Sequence, residues 1–139
     1  TDEEPEFHGE FLDFPPVYFD PKPTRPGGPP IIIGGESPPA MRRAAALGDG
    51  WIGLGATPDK ARAHVERLTA LRRQAGRENE AFEVTVGGRV ETLDDVRAYA
   101  DAGVHRLIVN PWAHPREAIS SIERFGDRVI SRLASLEYA

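Results

Sequence analysis

The feature that most constrains the fold is an alternation that begins at residue 31. A short apolar segment is followed by a helical pattern, and this order occurs four times before the chain ends. The segments predicted as strands are Ile31–Ile33, Trp51–Leu54, Phe82–Val86 and Arg106–Val109. Strands that alternate with helices are joined by right-handed crossovers, which places them in a parallel sheet.

The boundaries of the helices follow from capping chemistry. A hydroxyl side chain before a helix accepts from a free backbone amide, and proline is tolerated at the first helical position. Helices are predicted over Ala40–Leu47 after Ser37, from Thr57 to Gly76, from Thr92 to Gly103, and over roughly Pro115–Ser135. The first three end at or just before a glycine, which is a common helix terminator.

Four βα units amount to half of an eight-unit barrel, and they also fit a small doubly wound sheet. The turn Gly34–Ser37 lacks the G-x-G-x-x-G spacing of dinucleotide-binding sheets. We therefore predict an α/β domain over 31–139, with an extended proline-rich arm over 1–30. Five prolines between residues 21 and 30 forbid a helix there, and Gly9–Phe14 with Val17–Phe19 is predicted as a short hairpin.

Composition excludes several classes of function. The net charge is −5 with both signs interleaved, so we expect no nucleic-acid partner. The chain has no cysteine, and its four histidines lack metal spacing, so no metal site is predicted. No apolar run reaches membrane-spanning length, and we expect no membrane partner and a cytoplasmic location. The chain begins without Met, which suggests that an N-terminal part is missing.

The best candidate site lies where the predicted strands end, because ligands of parallel α/β folds meet the carboxyl ends of the strands. The residues chosen at the first two ends are Gly34, Gly35, Glu36, Ser37, Gly53, Leu54 and Gly55. After Ile31–Ile33, the amides of Gly35, Glu36 and Ser37, and then that of Ala40, are predicted to converge on a phosphate. The alternative interpretation is a tight turn before a capped helix, in which the Ser37 hydroxyl only caps.

The other strand ends offer weaker candidates. Arg89 either pairs with an anionic group or is solvated, and Trp112 either stacks on a ring or closes the barrel floor. His114, in the loop beside Trp112, is either solvated or the only candidate for proton transfer, and His64 is predicted on the polar side of its helix. No paired carboxylates or Ser/His/Asp set is evident, so the catalytic residues stay unknown.

The chain resembles the bacterial-luciferase-like family of flavin- and deazaflavin-dependent oxidoreductases. The resemblance rests on ordered blocks along residues 7–55, with weaker support from Leu93–Asp95 and Ala102–Val109. These blocks are Phe7–Phe11, Val17–Pro23, Pro29–Ser37, Ala40–Ala45 and Gly48–Trp51. It implies a TIM-like (β/α)₈ barrel of about twice this length, of which this chain is the C-terminal half.

The resemblance also implies a function. Similar proteins bind FMN or the deazaflavin coenzyme F-420, with the stretch that matches Gly34–Ser37 at the cofactor phosphate. The ring then carries hydride transfer or oxygen activation on a small organic substrate. The implied parent is a luciferase-like oxidoreductase or monooxygenase, whereas this part alone is expected to be inactive without the N-terminal barrel half or a second chain.

Two rival functions stay open at this stage. One is a non-catalytic flavin-binding or assembly fragment that forms a homo-oligomer through its open sheet edges. The other is a phosphate-sugar enzyme on a different parallel fold.

Overall fold

The computed structural model describes residues 2–133. Its contacts divide the chain into two compact units, Thr1–Pro30 and Ile31–Ala139.

The first unit contains a two-stranded antiparallel hairpin. Strand β1, Phe7–His8, pairs with β2, Asp13–Phe14, and the Phe7 and Phe14 rings lie 6.2 Å apart. The predicted pairing of Gly9–Phe14 with Val17–Phe19 is therefore wrong. Two prolines follow Phe14 and cannot donate to a ladder, so the chain closes the shorter turn in which the Gly9 amide donates to the Leu12 carbonyl.

The second unit contains a four-stranded parallel sheet. Its strands are β3 (Ile32–Gly34), β4 (Gly50–Leu54), β5 (Glu83–Gly87) and β6 (Arg106–Ile108), and they pair in that order. The predicted parallel α/β arrangement is confirmed, with strand boundaries that agree with the predicted ones to within one residue. In the register, Ile33 is opposite Trp51, and Trp51 is opposite Val84.

Helices connect the strands as predicted. Helix α1 spans Pro38–Leu47, α2 spans Pro58–Gln74 and α3 spans Leu93–Asp101, and Ser37, Thr57 and Thr92 cap them through their hydroxyls. The last predicted helix is divided into a 3-10 turn, α4, a π-helical turn and α5. These are Pro115–Glu117, Ala118–Phe125, Gly126–Ile130 and Ser131–Leu133. Its predicted end at Ser135 lies outside the described residues.

The core lies between the sheet and its helices. Trp51, Val84 and Val86 are buried on the helical side of the sheet, together with Met41 and Leu68. Side chains alternate along a strand, so the neighbouring positions face the opposite side. There Leu54 is 68% exposed and Ile108 is 45% exposed, which leaves an apolar sheet face without a covering layer among the described residues.

Within residues 2–133, no helix combines the length and the apolar character needed to cross a lipid bilayer.

Candidate functional site

An open cleft of about 1030 Å³ lies at the carboxyl ends of β4, β5 and β6. Parallel strands bring these ends to one edge of the sheet, which is where α/β folds bind ligands. Leu54 and Gly55 line this cleft, whereas Gly53 and the turn Gly34–Ser37 do not. The predicted site residues therefore lie at one edge of the sheet but in two places.

The turn Gly34–Ser37 begins at the last residue of β3 and has fewer available backbone N–H donors than predicted. The Gly35 amide donates to the Ile52 carbonyl (3.3 Å), and the Ala40 amide donates to Ser37 Oγ (3.4 Å). The expectation that these two amides are free is wrong, because the first continues the β3–β4 ladder and the second is satisfied by the cap. The amides of Glu36 and Ser37 have no partner in the described part of the chain.

Trp51 fixes the position of this turn. Its indole Nε1 donates to the Gly35 carbonyl at 2.7 Å, and its side chain is fully buried. Gly35 has φ +107°, a conformation that side chains rarely adopt, and a Cβ there would lie 3.1 Å from the Cβ of Ala40. The sharp bend of the chain between β3 and α1 therefore requires glycine at position 35.

His64 lies beside the turn, contrary to the prediction that it lies on the polar side of its helix. Its side chain is 21% exposed, its ring centroid lies 5.2 Å from that of Trp51, and its Nε2 lies 3.8 Å from Glu36 Oε2. Helix α2 brings it there because α1 and α2 pack against each other. When protonated, the imidazole offsets the negative charge that Glu36 places next to the two available amides.

The two glycines predicted at the end of the second strand, Gly53 and Gly55, differ in their surroundings. A Cβ on Gly53 would lie 2.7 Å from Cζ2 of Trp51, so this glycine makes room for the indole ring. Gly55 has φ +69° and open space around its α-carbon. Packing with Trp51 thus accounts for Gly53 without a ligand, whereas Gly55 leaves the backbone open for a ligand to approach.

The loop after β5 forms another wall of the cleft. Arg89, which is highly exposed, pairs with Glu91 at 2.5 Å. The Glu91 amide donates to Asp95 Oδ2 at 2.9 Å, as do the amide and the hydroxyl of Thr92. These hydrogen bonds, with that from Glu91 foremost, lower the pKa of Asp95 and fasten the loop to the start of α3.

Tyr99 is bonded to the loop after β4 and packs against the loop after β5. Its hydroxyl donates to the Ala56 carbonyl at 2.7 Å, and a Cβ on Gly88 would lie 2.6 Å from the ring carbon Cζ. Gly88 therefore lets the loop after β5 lie directly on the buried Tyr99 ring.

The loop after β6 brings Trp112 to the cleft, half-buried, but not His114. The side chain predicted as a candidate for stacking therefore lines the cleft, whereas the candidate for proton transfer does not. Among the residues that the structure describes, no group of three or more acidic and histidine side chains is arranged to hold a metal ion.

The final helical segment adds two cations that sequence analysis missed. Arg124 and Arg128 both line the cleft, and Arg124 Nη2 donates to the buried Ser121 Oγ at 2.8 Å. Their spacing of four residues is a signal, because it places two side chains on one face of a helix. That signal could not be interpreted before the fold placed this face over the strand ends.

Comparison with known proteins assigns the chain to a family. The chain belongs to the luciferase-like monooxygenase family, whose model matches residues 1–129. The family resemblance drawn from the sequence blocks is therefore confirmed.

Curated relatives include the uncharacterized proteins Mb0965c of Mycobacterium bovis and Rv0940c of Mycobacterium tuberculosis, each 35% identical to the chain. The alignments cover 92% of this chain and 46% of each relative, so the chain spans less than half the length of these relatives.

Proposed function

We propose that this chain forms the cofactor-phosphate side of a luciferase-like flavin- or deazaflavin-dependent oxidoreductase. The observation that carries the proposal is that the Glu36 and Ser37 amides have no partner among residues 2–133, at the edge of the sheet where the cleft opens. When bound, FMN or coenzyme F-420 supplies the hydride-transfer or oxygen chemistry. The residues at the strand ends bind and orient the cofactor.

The turn Gly34–Ser37 is the proposed phosphate anchor. Two adjacent N–H groups before a capped helix of ten residues offer donors, and the helix dipole favours an anion there. Glu36 opposes the anion with its own charge, and His64 reduces that opposition when it is protonated.

Leu54 and Gly55 connect the anchor with the cleft, because Leu54 ends β4, the strand that pairs with β3, and Gly55 follows it. Gly55 leaves the backbone open to a planar group, and Trp112 lines the same cleft and can stack on one. The cleft volume of about 1030 Å³ is at the upper end of the range for organic ligands and exceeds what one ring system needs. We therefore place the reactive part of the cofactor and its small organic substrate in this cleft.

The sheet is proposed to be half of a (β/α)₈ barrel that is preceded by an extended arm. Its strands pair in sequence order without the reversal that defines a doubly wound sheet, and neighbouring helices α1 and α2, and α2 and α3, pack together. The exposed Leu54 and Ile108 then face the barrel interior. A complementary barrel half, or a second copy of this chain, is the proposed partner that covers them.

The proposed anchor is tested by the charge of Glu36. Glu36→Gln removes a negative charge beside the two amides, so we expect it to tighten FMN binding roughly two- to fivefold, a range typical of one exposed charge. Calorimetric titration of FMN measures the affinity, and riboflavin, which has the same ring without the phosphate, shows which part of the ligand responds.

Glu78→Gln is the matched control, because Glu78 is exposed and lies before β5, at the opposite edge of the sheet. It should leave FMN affinity unchanged. The anchor assignment is contradicted if Glu36→Gln changes FMN and riboflavin affinity equally, or if it behaves like the control.

A further inference from the structure

We propose that Arg124 and Arg128 form a binding site for the carboxylate or phosphate group of an organic substrate, where the final helical segment lines the cleft. This inference rests on the proposed function in one respect, since it takes the cleft as the place where the substrate binds. The anion site itself is defined by residues 121–128 and the strand ends, independently of the turn Gly34–Ser37.

The charges that line the cleft do not balance. Glu91 and Glu117 are its carboxylates, and each is engaged by another arginine, Glu91 by Arg89 at 2.5 Å and Glu117 by Arg116 at 3.7 Å. Arg124 and Arg128 have no carboxylate within 4.0 Å among residues 2–133. Two positive charges therefore line the cleft without an acidic partner in the described part of the chain.

The final helical segment segregates its charges. The acidic residues next to the two arginines, Glu123 and Asp127, do not line the cleft. Like charges four residues apart weaken a helix slightly. An anion between Arg124 and Arg128 would turn that repulsion into attraction, so this arrangement favours a ligand rather than the free helix.

The backbone also departs from regular helix at this point. The α-helix changes to a π-helical turn over Gly126–Ile130, which contains Arg128, while Val129 remains buried in the core. Such turns are rare and occur frequently at functional sites. Arg124 is additionally oriented by its hydrogen bond to the buried Ser121 Oγ, so one of the two guanidinium groups is already positioned.

Apolar surface accompanies the cations. Leu54, Ile108 and Trp112 line the same cleft, so an anionic head on the arginines places the organic body of the ligand against these side chains. The ligand class is therefore a small organic acid or a phosphorylated compound. Guanidinium groups bind both kinds of oxyanion through charge-assisted hydrogen bonds.

The test uses benzoate and inorganic phosphate as probes on the whole chain without added cofactor, monitored by the two indole N–H signals in a nitrogen–proton NMR spectrum. The Trp112 signal, assigned with Trp112→Phe, should shift on addition of benzoate or phosphate. The Trp51 signal, whose indole is bonded to Gly35 in the separate turn, should stay on addition of benzoate. A shift with phosphate alone assigns a phosphorylated ligand. A shift with benzoate alone, or with both, assigns a carboxylate or a general oxyanion site.

Arg124→Gln and Arg128→Gln should each weaken the bound probe roughly three- to tenfold, as expected for one charge-assisted contact at a partly exposed site. Arg97→Gln removes the same charge from α3 outside the cleft and should have no effect. The proposal is overturned if neither probe shifts Trp112, or if both cleft variants bind like Arg97→Gln. Because no flavin is present, this result is independent of the FMN titration.

Discussion

Gly53 offers a direct test of whether a strand-end glycine serves packing or a ligand. Its missing side chain makes room for the buried Trp51, since a Cβ there would lie 2.7 Å from Cζ2 and 3.0 Å from Cζ3 of the indole. Both atoms belong to the six-membered ring at the far end of the side chain. Because Trp51 is fully buried and bonded to Gly35, the ring cannot move away cheaply.

The energies of the two substitutions follow from this geometry. Gly53→Ala overpacks the core and should cost about 2 kcal/mol of unfolding free energy. Trp51→Phe loses one hydrogen bond, worth about 1 kcal/mol, and leaves a small cavity, for a total of about 2–3 kcal/mol. Phenylalanine at position 51 does not reach the position of the clash. The loss of unfolding free energy in the Gly53→Ala/Trp51→Phe double variant should therefore be smaller than the sum of the two single losses, by at least about 1 kcal/mol.

Urea unfolding of the wild type, the two single variants and the double variant is followed by far-ultraviolet circular dichroism. Tryptophan fluorescence is unsuitable, because Trp51→Phe itself changes the signal. Gly126→Ala is the matched control, because nothing lies within 4 Å of a Cβ there. It should be neutral or slightly stabilising. If the two substitutions add to within about 0.5 kcal/mol, the packing explanation of Gly53 is refuted.

Three further outcomes are expected. Asp95→Ala should lower the unfolding free energy by about 1 kcal/mol at pH 7, because it removes the capping box. The pKa of Asp95 is lower in the folded protein, so its contribution to stability is present above about pH 4 and is lost on further acidification. The difference from wild type in urea unfolding should therefore shrink at pH 3. Arg72→Met should lower the unfolding free energy by about 2–3 kcal/mol, because it leaves the Arg77 and Glu80 carbonyls without their donor. Arg73→Met, at an exposed position, should lower it by less than about 0.5 kcal/mol. Equal losses would contradict the assignment of Arg72 as the donor that holds this loop. Sedimentation velocity should show the chain associated with a second copy of itself, or with a complementary barrel half when one is present. A compact monomer under both conditions at all concentrations would contradict the proposal that a partner packs on the exposed sheet face.

Much of the fold follows from local chemistry. Apolar segments, hydroxyl caps and prolines at first helical positions predict α1, α2 and α3, and the alternation predicts their parallel strands. The last helical segment was less predictable. The apolar spacing of Ile119, Ile122 and Val129 suits a continuous helix, but the structure contains a π-helical turn from Gly126.

The site was predictable only in part, because a motif gives the position of a residue along the chain and not its partners in space. Gly34–Ser37 and Leu54–Gly55 lie at the expected edge of the sheet, yet the Gly35 amide is used by Ile52. That hydrogen bond depends on the register of two strands that are separated by a helix. His64 and Arg124 were missed for the same reason, since each acquires its role from an element distant in sequence.

The buried Arg72 shows how far a charged residue can depart from its usual place. It is 5% exposed, lies 4.2 Å from the Phe82 ring and donates to two carbonyls of the loop before β5. Burial lowers the pKa of Arg72, and the two carbonyls, which both accept from Nη2, together with the ring face offset part of the lost hydration. The helical spacing places Arg72 on the same face as the buried Ala61 and Leu68, but the residue type argues against burial there.

The most direct measurement of the central proposal is made at the backbone of the turn itself. In a nitrogen–proton NMR titration of this chain, the amide signals of Glu36 and Ser37 should shift on addition of FMN and stay in place on addition of riboflavin. The amide of Gly35, which is bonded to Ile52, should shift less than either. If FMN leaves the Glu36 and Ser37 signals unchanged, or riboflavin moves them as far, the turn does not hold the cofactor phosphate.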